Sequence, residues 1–440
     1  MILASASASE AVFGRLLLSL AIVMAVARLA GALFKRLGQP AVIGEILAGI
    51  ALGPSLLGLV RADLPGRLFP ADVVPLLKVV SEIGLVLFMF GVGLEVDAKA
   101  MRASGRQAAV ISLSSIALPF VLGVAALAPF LHDAHDVVGG SMVRFLPFAL
   151  FIGVSMCGTA FAVLARILTE HDLLATRLGT LLMACAAIDD VVAFCMLGVV
   201  VAIAASASSL GVLVTMADLV ALVVVLFAVV RPVLRRTVLR AYERTGTLAA
   251  EHLAVLLLGV LVCASIVVAI GLHPMMGAFL FGTAVPRDDA RQLAHAVTSR
   301  LEAVSVQLLM PVFFVVTGLG VNIAGLGLAN LAPALLILAI ACLGKFVGGA
   351  GAARALGLPT RQSLAIGTMM NTRGLAELVI LNVGRSAGVL DDQMFTMLVV
   401  MAVVTTAMAG PIMRLVYPER LLAAERAAGR RAPSVLARAA

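Results

Sequence analysis

The chain has 440 residues, 62% of them hydrophobic and 13% charged, with a mean hydropathy of +1.13. A soluble protein carries roughly 25% charged residues, so a single soluble core is excluded and a polytopic membrane protein is indicated. The net charge of +8 would suit a nucleic-acid binder, but the basic residues follow membrane topology instead.

A spanning helix needs about 20 mostly apolar residues. Charge clusters and Gly/Pro punctuation divide the chain into thirteen such segments: 11–34, 41–58, 73–94, 106–130, 143–166, 173–205, 211–232, 249–271, 274–286, 301–322, 331–354, 361–384 and 392–416. The opening MILASASASE has no basic stretch, so the first apolar segment reads as a retained helix and not a signal peptide. The five cysteines (Cys157, Cys185, Cys195, Cys263 and Cys342) lie in apolar runs without CxxC spacing and read as small buried hydrophobes. Residues 417–440, rich in Ala and Arg, are expected to form a short basic cytoplasmic tail with no second domain.

An odd number of spans puts the termini on opposite sides. With the N-terminus outside, the inside segments hold 23 of the 32 Lys and Arg. The outside loops hold four, Arg61, Arg67, Arg144 and Arg385. That bias obeys the positive-inside rule and predicts a cytoplasmic C-terminus.

The two halves echo each other. GEILAGIALGP (44–54) matches GAFLFGTAVP (277–286), GVGLEV (91–96) matches GLGVNI (318–323), and GVSMCGTAFAVL (153–164) matches GTMMNTRGLAEL (367–378). Each pair is seven segments apart, so partners cross the membrane in opposite directions. The expected fold is therefore all-α: six plus six helices in an inverted repeat around a linker helix.

The stretch CAAIDDVVAF (185–194) places Asp189 and Asp190 near the middle of the sixth segment. Charges at mid-membrane cost about 2.5–3.5 kcal/mol each on insertion scales and mark partners or a water-filled pathway. Adjacent residues point about 100° apart on a helix, so each acid addresses a different neighbour while their charges still interact. Such a pair is suited to holding either protons or a small cation, for which carboxylates supply hard oxygen ligands. Between Glu302 and Arg354 the only charged residue is Lys345, in the middle of the eleventh segment. It is expected to meet the acids as a buried ion pair. Neutralisation of one Asp by Lys345 would be purely structural, but it leaves the second carboxylate without a reason.

Ser155, Cys157, Gly158 and Thr159 interrupt the fifth segment; Asn371, Thr372, Arg373 and Gly374 interrupt the twelfth, followed by Glu377. Small residues here permit close packing. Their matched places in the repeat point further, to two crossed, discontinuous helices whose free carbonyls and half-helix ends face the site. Arg373 and Glu377, four apart, are expected to pair. The stretch 287–300 reads as an interfacial helix, and His132 and His135, beside Asp133 and Asp136, as an exposed loop.

These motifs jointly resemble the sodium/proton exchanger superfamily, specifically the cation:proton antiporter branch that includes plant cation/H⁺ exchangers and the membrane part of Kef-type systems. The resemblance is carried by GQPAVIGEILAGIALGPSLLG (38–58), GLVLFMFGVGLEVD (84–97), GTAFAVLARILTE (158–170), AAIDDVV (186–192), GAFLFGTAVP (277–286), LLMPVFFVVTGLGVNI (308–323) and MNTRGLAELVILNVG (370–384). It implies a homodimer in the bacterial inner membrane. The scaffold helices would be 11–94 and 249–322, the moving core 106–205 and 331–416, and the linker 211–232. It implies Asp190 as main carrier of cation and proton, with Asp189 exchanging a salt bridge with Lys345. Thr159 and Asn371 would map to the helix crossing, and the paired acids would go with electrogenic exchange. The absence of a nucleotide-binding domain within 440 residues argues against nucleotide gating unless another subunit supplies it.

The expected function is secondary antiport of Na⁺ or K⁺ against protons by alternating access, with no nucleotide or metal cofactor. The alternatives are a channel-like potassium efflux pathway and a sodium-coupled symporter of an organic anion. An enzyme is not expected, because no nucleophile–base or metal-ligand cluster stands out.

Overall fold

The computed structural model describes residues 2–61, 63–95, 105–170, 173–174, 176–205, 209–286 and 292–417. Apart from a two-residue hairpin, Val137–Val138 against Ser141–Met142, the regular structure there is helical. In chain order the helices are α1 (Ile2–Arg36), α2 (Ala41–Val60), α3 (Val74–Glu95), α4 (Gly105–His135), α5 (Phe145–Ser155), α6 (Phe161–Glu170), α7 (Arg177–Ala205) and α8 (Leu210–Thr245). They continue as α9 (Ala250–Ala269), α10 (Pro274–Ala284), α11 (Gln292–Val304), α12 (Gln307–Leu326), α13 (Leu331–Ala355), α14 (Thr360–Met370), α15 (Leu375–Ser386) and α16 (Asp392–Val416).

Among the described residues, eleven helical stretches are long and apolar enough to cross a membrane, α14 and α15 together counting as one. The helices α5 and α10 are apolar but shorter. Length and composition thus give eleven spans and not thirteen. The shortfall arises because the fifth segment is cut into halves too short to span, and the ninth is only 11 residues long. This is an integral membrane protein.

Two expectations change. The Arg-rich stretch after residue 232, read as a loop, continues α8 as helix to Thr245, where Gly246 ends it in the left-handed conformation (φ +66°). Arginine is a good helix former, and a glycine just past the last turn is the usual stop. His132 and His135 are not in an exposed loop but on the last turns of α4. His132 stacks edge-on against Phe145 and Phe148, while His135, 2% exposed, holds Asp391 at 2.7 Å. In the stretch read as an interfacial helix, Gln292–Val304 is helical; residues 287–291 and the tail from 418 lie outside the described residues.

The chain divides into two compact units. One comprises 1–32, 44–97 and 198–324, the other 33–43, 98–197 and 325–440.

In the first unit the repeat is written in glycines. A methyl on Gly44 would lie 2.5 Å from the Ala30 carbonyl oxygen on α1. A methyl on Gly277, its repeat counterpart, would lie 2.5 Å from the Cys263 carbonyl oxygen on α9. Gly49 abuts Val315 on α12 just as its counterpart Gly282 abuts Phe90 on α3. Only a residue without Cβ lets backbones approach this closely.

The second unit shows the same pairing. Gly153 on α5 packs on Phe120 of α4, and Gly367 on α14 packs on the Phe346 carbonyl of α13. Its core includes Leu164, Leu182, Ile366 and Met369, all fully buried. The inverted repeat is thus built from equivalent close approaches in both halves.

Candidate ion-binding site

The site lies wholly in the second unit, where two helices stop short. The helix α5 ends at Ser155 and α6 starts at Phe161; α14 ends at Met370 and α15 starts at Leu375. The breaks cross: the Ala160 amide donates to the Thr372 carbonyl at 2.9 Å. Gly374 is required by the closeness of the crossing, since a Cβ there would meet Val163 at 2.8 Å and Ala160 at 3.0 Å.

A helix that ends in an apolar interior leaves carbonyls without partners, carrying the negative end of its dipole. At α5 this role falls to Arg373, which donates to the carbonyls of Ser155 and Met156, each at 2.8 Å. Its charge is balanced by Glu377 in the first turn of α15, with Arg373 Nη1 3.0 Å from Glu377 Oε2. Both are buried, at 1% exposure. Thr406 on α16 fixes the segment, accepting from the Arg373 amide at 2.9 Å and facing its carbonyl at 2.5 Å. Gly158 keeps room for this pair; a methyl there would sit 2.5 Å from Glu377 Oε2.

The other end, at α14, is treated differently. Thr159 reaches Met370, its hydroxyl 3.0 Å from the carbonyl. The same hydroxyl is 2.6 Å from Asp189 Oδ2. It has a single hydrogen, so the two oxygens are alternative acceptors. Lys345 Nζ donates to Thr159 Oγ1 at 2.7 Å and to Asp189 Oδ2 at 2.8 Å.

Lys345 and Asp189 are fully buried, and a charge pair out of water is tolerated only when its remaining valences are hydrogen-bonded. Two serines of α4 contribute to that. Ser112 Oγ donates to Asp189 Oδ1 at 2.5 Å, and Ser115 Oγ lies 3.2 Å from Oδ2.

Asp190, next along α7, is 9% exposed against 0% for Asp189, so it is the more open of the two acids. Asn371, 7% exposed, points its amide at Cys342 Sγ at 3.5 Å, one helical turn from Lys345 on α13. The hydroxyls of Ser155 and Thr372 are used locally, donating to the carbonyls of Ile152 and Met369.

The structure therefore brings Asp189, Lys345 and Thr159 into direct contact, puts Asp190 beside them, and joins Arg373, Glu377, Gly158 and Gly374 at the crossing. Sequence reading missed Ser112, Ser115 and Thr406. The signal for the serines was present: two small polar residues three apart on an apolar helix share a face. Serine is common enough in membrane helices for this to pass unremarked.

The arrangement defines a class: a membrane transporter with ionisable groups at crossed, broken helices. Residues 22–417 match the family model described as sodium/hydrogen exchanger, transmembrane, and the chain belongs to that family. It is 38% identical over 404 residues to the Na⁺/H⁺ antiporter NhaS4 of Synechocystis, covering 92% of this chain and 97% of that protein. It is 37% identical to cation/H⁺ antiporter 18 of Arabidopsis thaliana over 91% of this chain; the alignment spans 49% of that relative, about half its length. The fold is that of the sodium proton antiporter MjNhaP1 from Methanocaldococcus jannaschii, with a TM-score of 0.63, 14% identity, and coverage of 92% of this chain and 96% of that one.

Proposed function

We propose that this protein exchanges a monovalent alkali cation, Na⁺ or K⁺, for protons by alternating access. The observation that carries the reading is the buried Asp189–Lys345 pair with the second acid, Asp190, beside it. The relatives named as Na⁺/H⁺ and cation/H⁺ antiporters support the same substrate class.

The chemistry is competition for oxygens. With protons bound, Lys345 is charged and held by Asp189 and Thr159. A cation entering at Asp190, the more open acid, draws Asp189 towards itself and releases Lys345. The return step reverses this when protons arrive on the other side. Neither ligand is held while the other occupies the carboxylates, so the two fluxes are coupled.

The segments 106–205 and 331–416 carry the site as the moving core. The basic residues put the C-terminus in the cytoplasm, and the chain acts as a homodimer. Two protons, one from Asp190 and one from Lys345, leave for each cation that enters, so the exchange moves net charge.

Proteoliposomes loaded with a pH-sensitive dye test the proposal. Adding Na⁺ or K⁺ should drive proton movement in wild-type vesicles and none in Asp190→Asn vesicles. Full exchange in that variant, or cation flux that ignores an imposed pH gradient, overturns the reading. Lys345→Gln should keep exchange but lose the voltage signal of a membrane-potential dye.

A further inference from the structure

We propose that Asn371, just past the end of α14, is a ligand of the carried cation. Its side-chain carbonyl oxygen, Oδ1, is the neutral member of the oxygen set and helps to set the choice between Na⁺ and K⁺. The inference rests on the exchange reading and deepens it.

The side chain is almost wholly enclosed, at 7% exposure, yet only half of its amide is used. Nδ2 donates to Cys342 Sγ at 3.5 Å, and among the described residues no donor reaches Oδ1. A buried amide oxygen without a partner is rare and calls for a reason. Packing is a poor one, because leucine has nearly the same shape and no polar atoms to desolvate. Sulfur is a weak acceptor, so the anchor orients the amide without offsetting its burial.

Both buried cations of this unit are committed elsewhere. Lys345 donates to Thr159 and Asp189. Arg373 donates to the carbonyls of Ser155 and Met156 and to Glu377. Neither serves Oδ1.

Two connections tie the amide to the exchange site. The Thr159 hydroxyl stands between Asp189, at 2.6 Å, and the carbonyl of Met370, the residue before Asn371, at 3.0 Å. Cys342, which holds Nδ2, lies three residues before Lys345 on α13 and so shares its face of the helix. The amide hangs between the acid side and the lysine side of the buried pair.

The chemistry of Oδ1 suits the cargo. An alkali cation leaving water needs several hard oxygens at once. A carboxylate that holds the cation can hold a proton instead. An amide oxygen takes up no proton in the working pH range, so it adds to the hold on the cation and nothing to the hold on the proton. Carbonyl dipoles, by their number and the space between them, also separate one alkali cation from another.

The test distinguishes a ligand from a packing residue. Asn371→Leu keeps the shape and removes the oxygen. In proteoliposomes its half-saturating cation concentration should rise about tenfold, comparable to one hydrogen bond to a charged group, while the maximal rate at saturating cation is nearly unchanged. Titrating Na⁺ or K⁺ into the purified full-length wild-type chain in choline buffer should raise its melting temperature. In Asn371→Leu the same rise should need about tenfold more cation. Asn371→Gln, with its carbonyl one carbon further out, should restore the response and alter the ratio of Na⁺ to K⁺ half-saturation. Cys342→Ala, which only loosens the anchor, should shift half-saturation less than Asn371→Leu does.

Unchanged half-saturation in Asn371→Leu overturns the proposal. So does a Na⁺/K⁺ ratio that Asn371→Gln leaves unaltered, or an equal shift in Cys342→Ala, which marks lost packing against α13. Should Asn371→Leu fail to fold, Asn371→Ala reads the same shift. The melting titration needs no transport. A wild type that the cation stabilises but that moves no protons therefore sinks the antiport reading alone, and Asn371 is still decided.

Discussion

At the first break, Thr159 reaches the carbonyl of Met370 with a hydroxyl; at the matching position of the second, Arg373 reaches the carbonyl of Met156 with a guanidinium. Thr159 and Arg373 are counterparts in the repeat, as are Met156 and Met370, so the same contact is made twice by different chemistry. The arginine's bond is charge-assisted, supported by a second carbonyl and by Glu377, and leaves little freedom. The threonine's single hydrogen is divided between a carbonyl and Asp189, and Lys345 donates into the same oxygen. One crossing point is held by a charge-assisted network, while the other divides a single hydrogen between two acceptors, although the repeat makes the two positions equivalent.

The contrast is sharpest where it is broken at the charge-assisted side. Arg373→Ala leaves Glu377 as an uncompensated buried charge and bares two carbonyls, an expected loss of about 3–5 kcal/mol that reads as a collapse in yield of folded protein on size-exclusion chromatography. Adding Glu377→Gln should recover part of it. If Arg373→Ala folds like the wild type, the charge-assisted half of the comparison is wrong.

Gly158→Ala should cost less, about 1–3 kcal/mol, because the new methyl meets a Glu377 oxygen that Arg373 holds in place; a lowered melting temperature checks it. Thr159→Val acts at the other crossing point and should leave a folded protein whose exchange rate falls about tenfold, the worth of one hydrogen bond to a charged group. Thr159→Ser should restore it. Arg15→Ala, which removes an ion pair to the part-exposed Asp72, serves as the surface reference and should change stability by less than about 1 kcal/mol.

Much of this was legible in the chain. The acids at 189 and 190 stood out because an apolar helix has no other use for them, and Lys345 because it was the sole charge between Glu302 and Arg354. The breaks could be read from paired motifs in the two halves. What sequence misassigned were places where composition and contact disagree. His132 and His135 sit among charged residues, the pattern of a loop, yet aromatic packing and Asp391 draw them into the end of a buried helix. The arginines after 231 look like a loop but propagate a helix.

Amino-acid order by itself determined the membrane setting, the repeat and the stranded charges, because hydropathy and charge are properties each residue carries wherever it folds. Partnership was decided only in three dimensions. Residues 112, 159, 189 and 345 converge from four separate segments, and which oxygen receives which donor depends on ångström-scale approach of helices far apart in sequence. Hydrogen bonds have direction and short range, and no pattern along the chain encodes those.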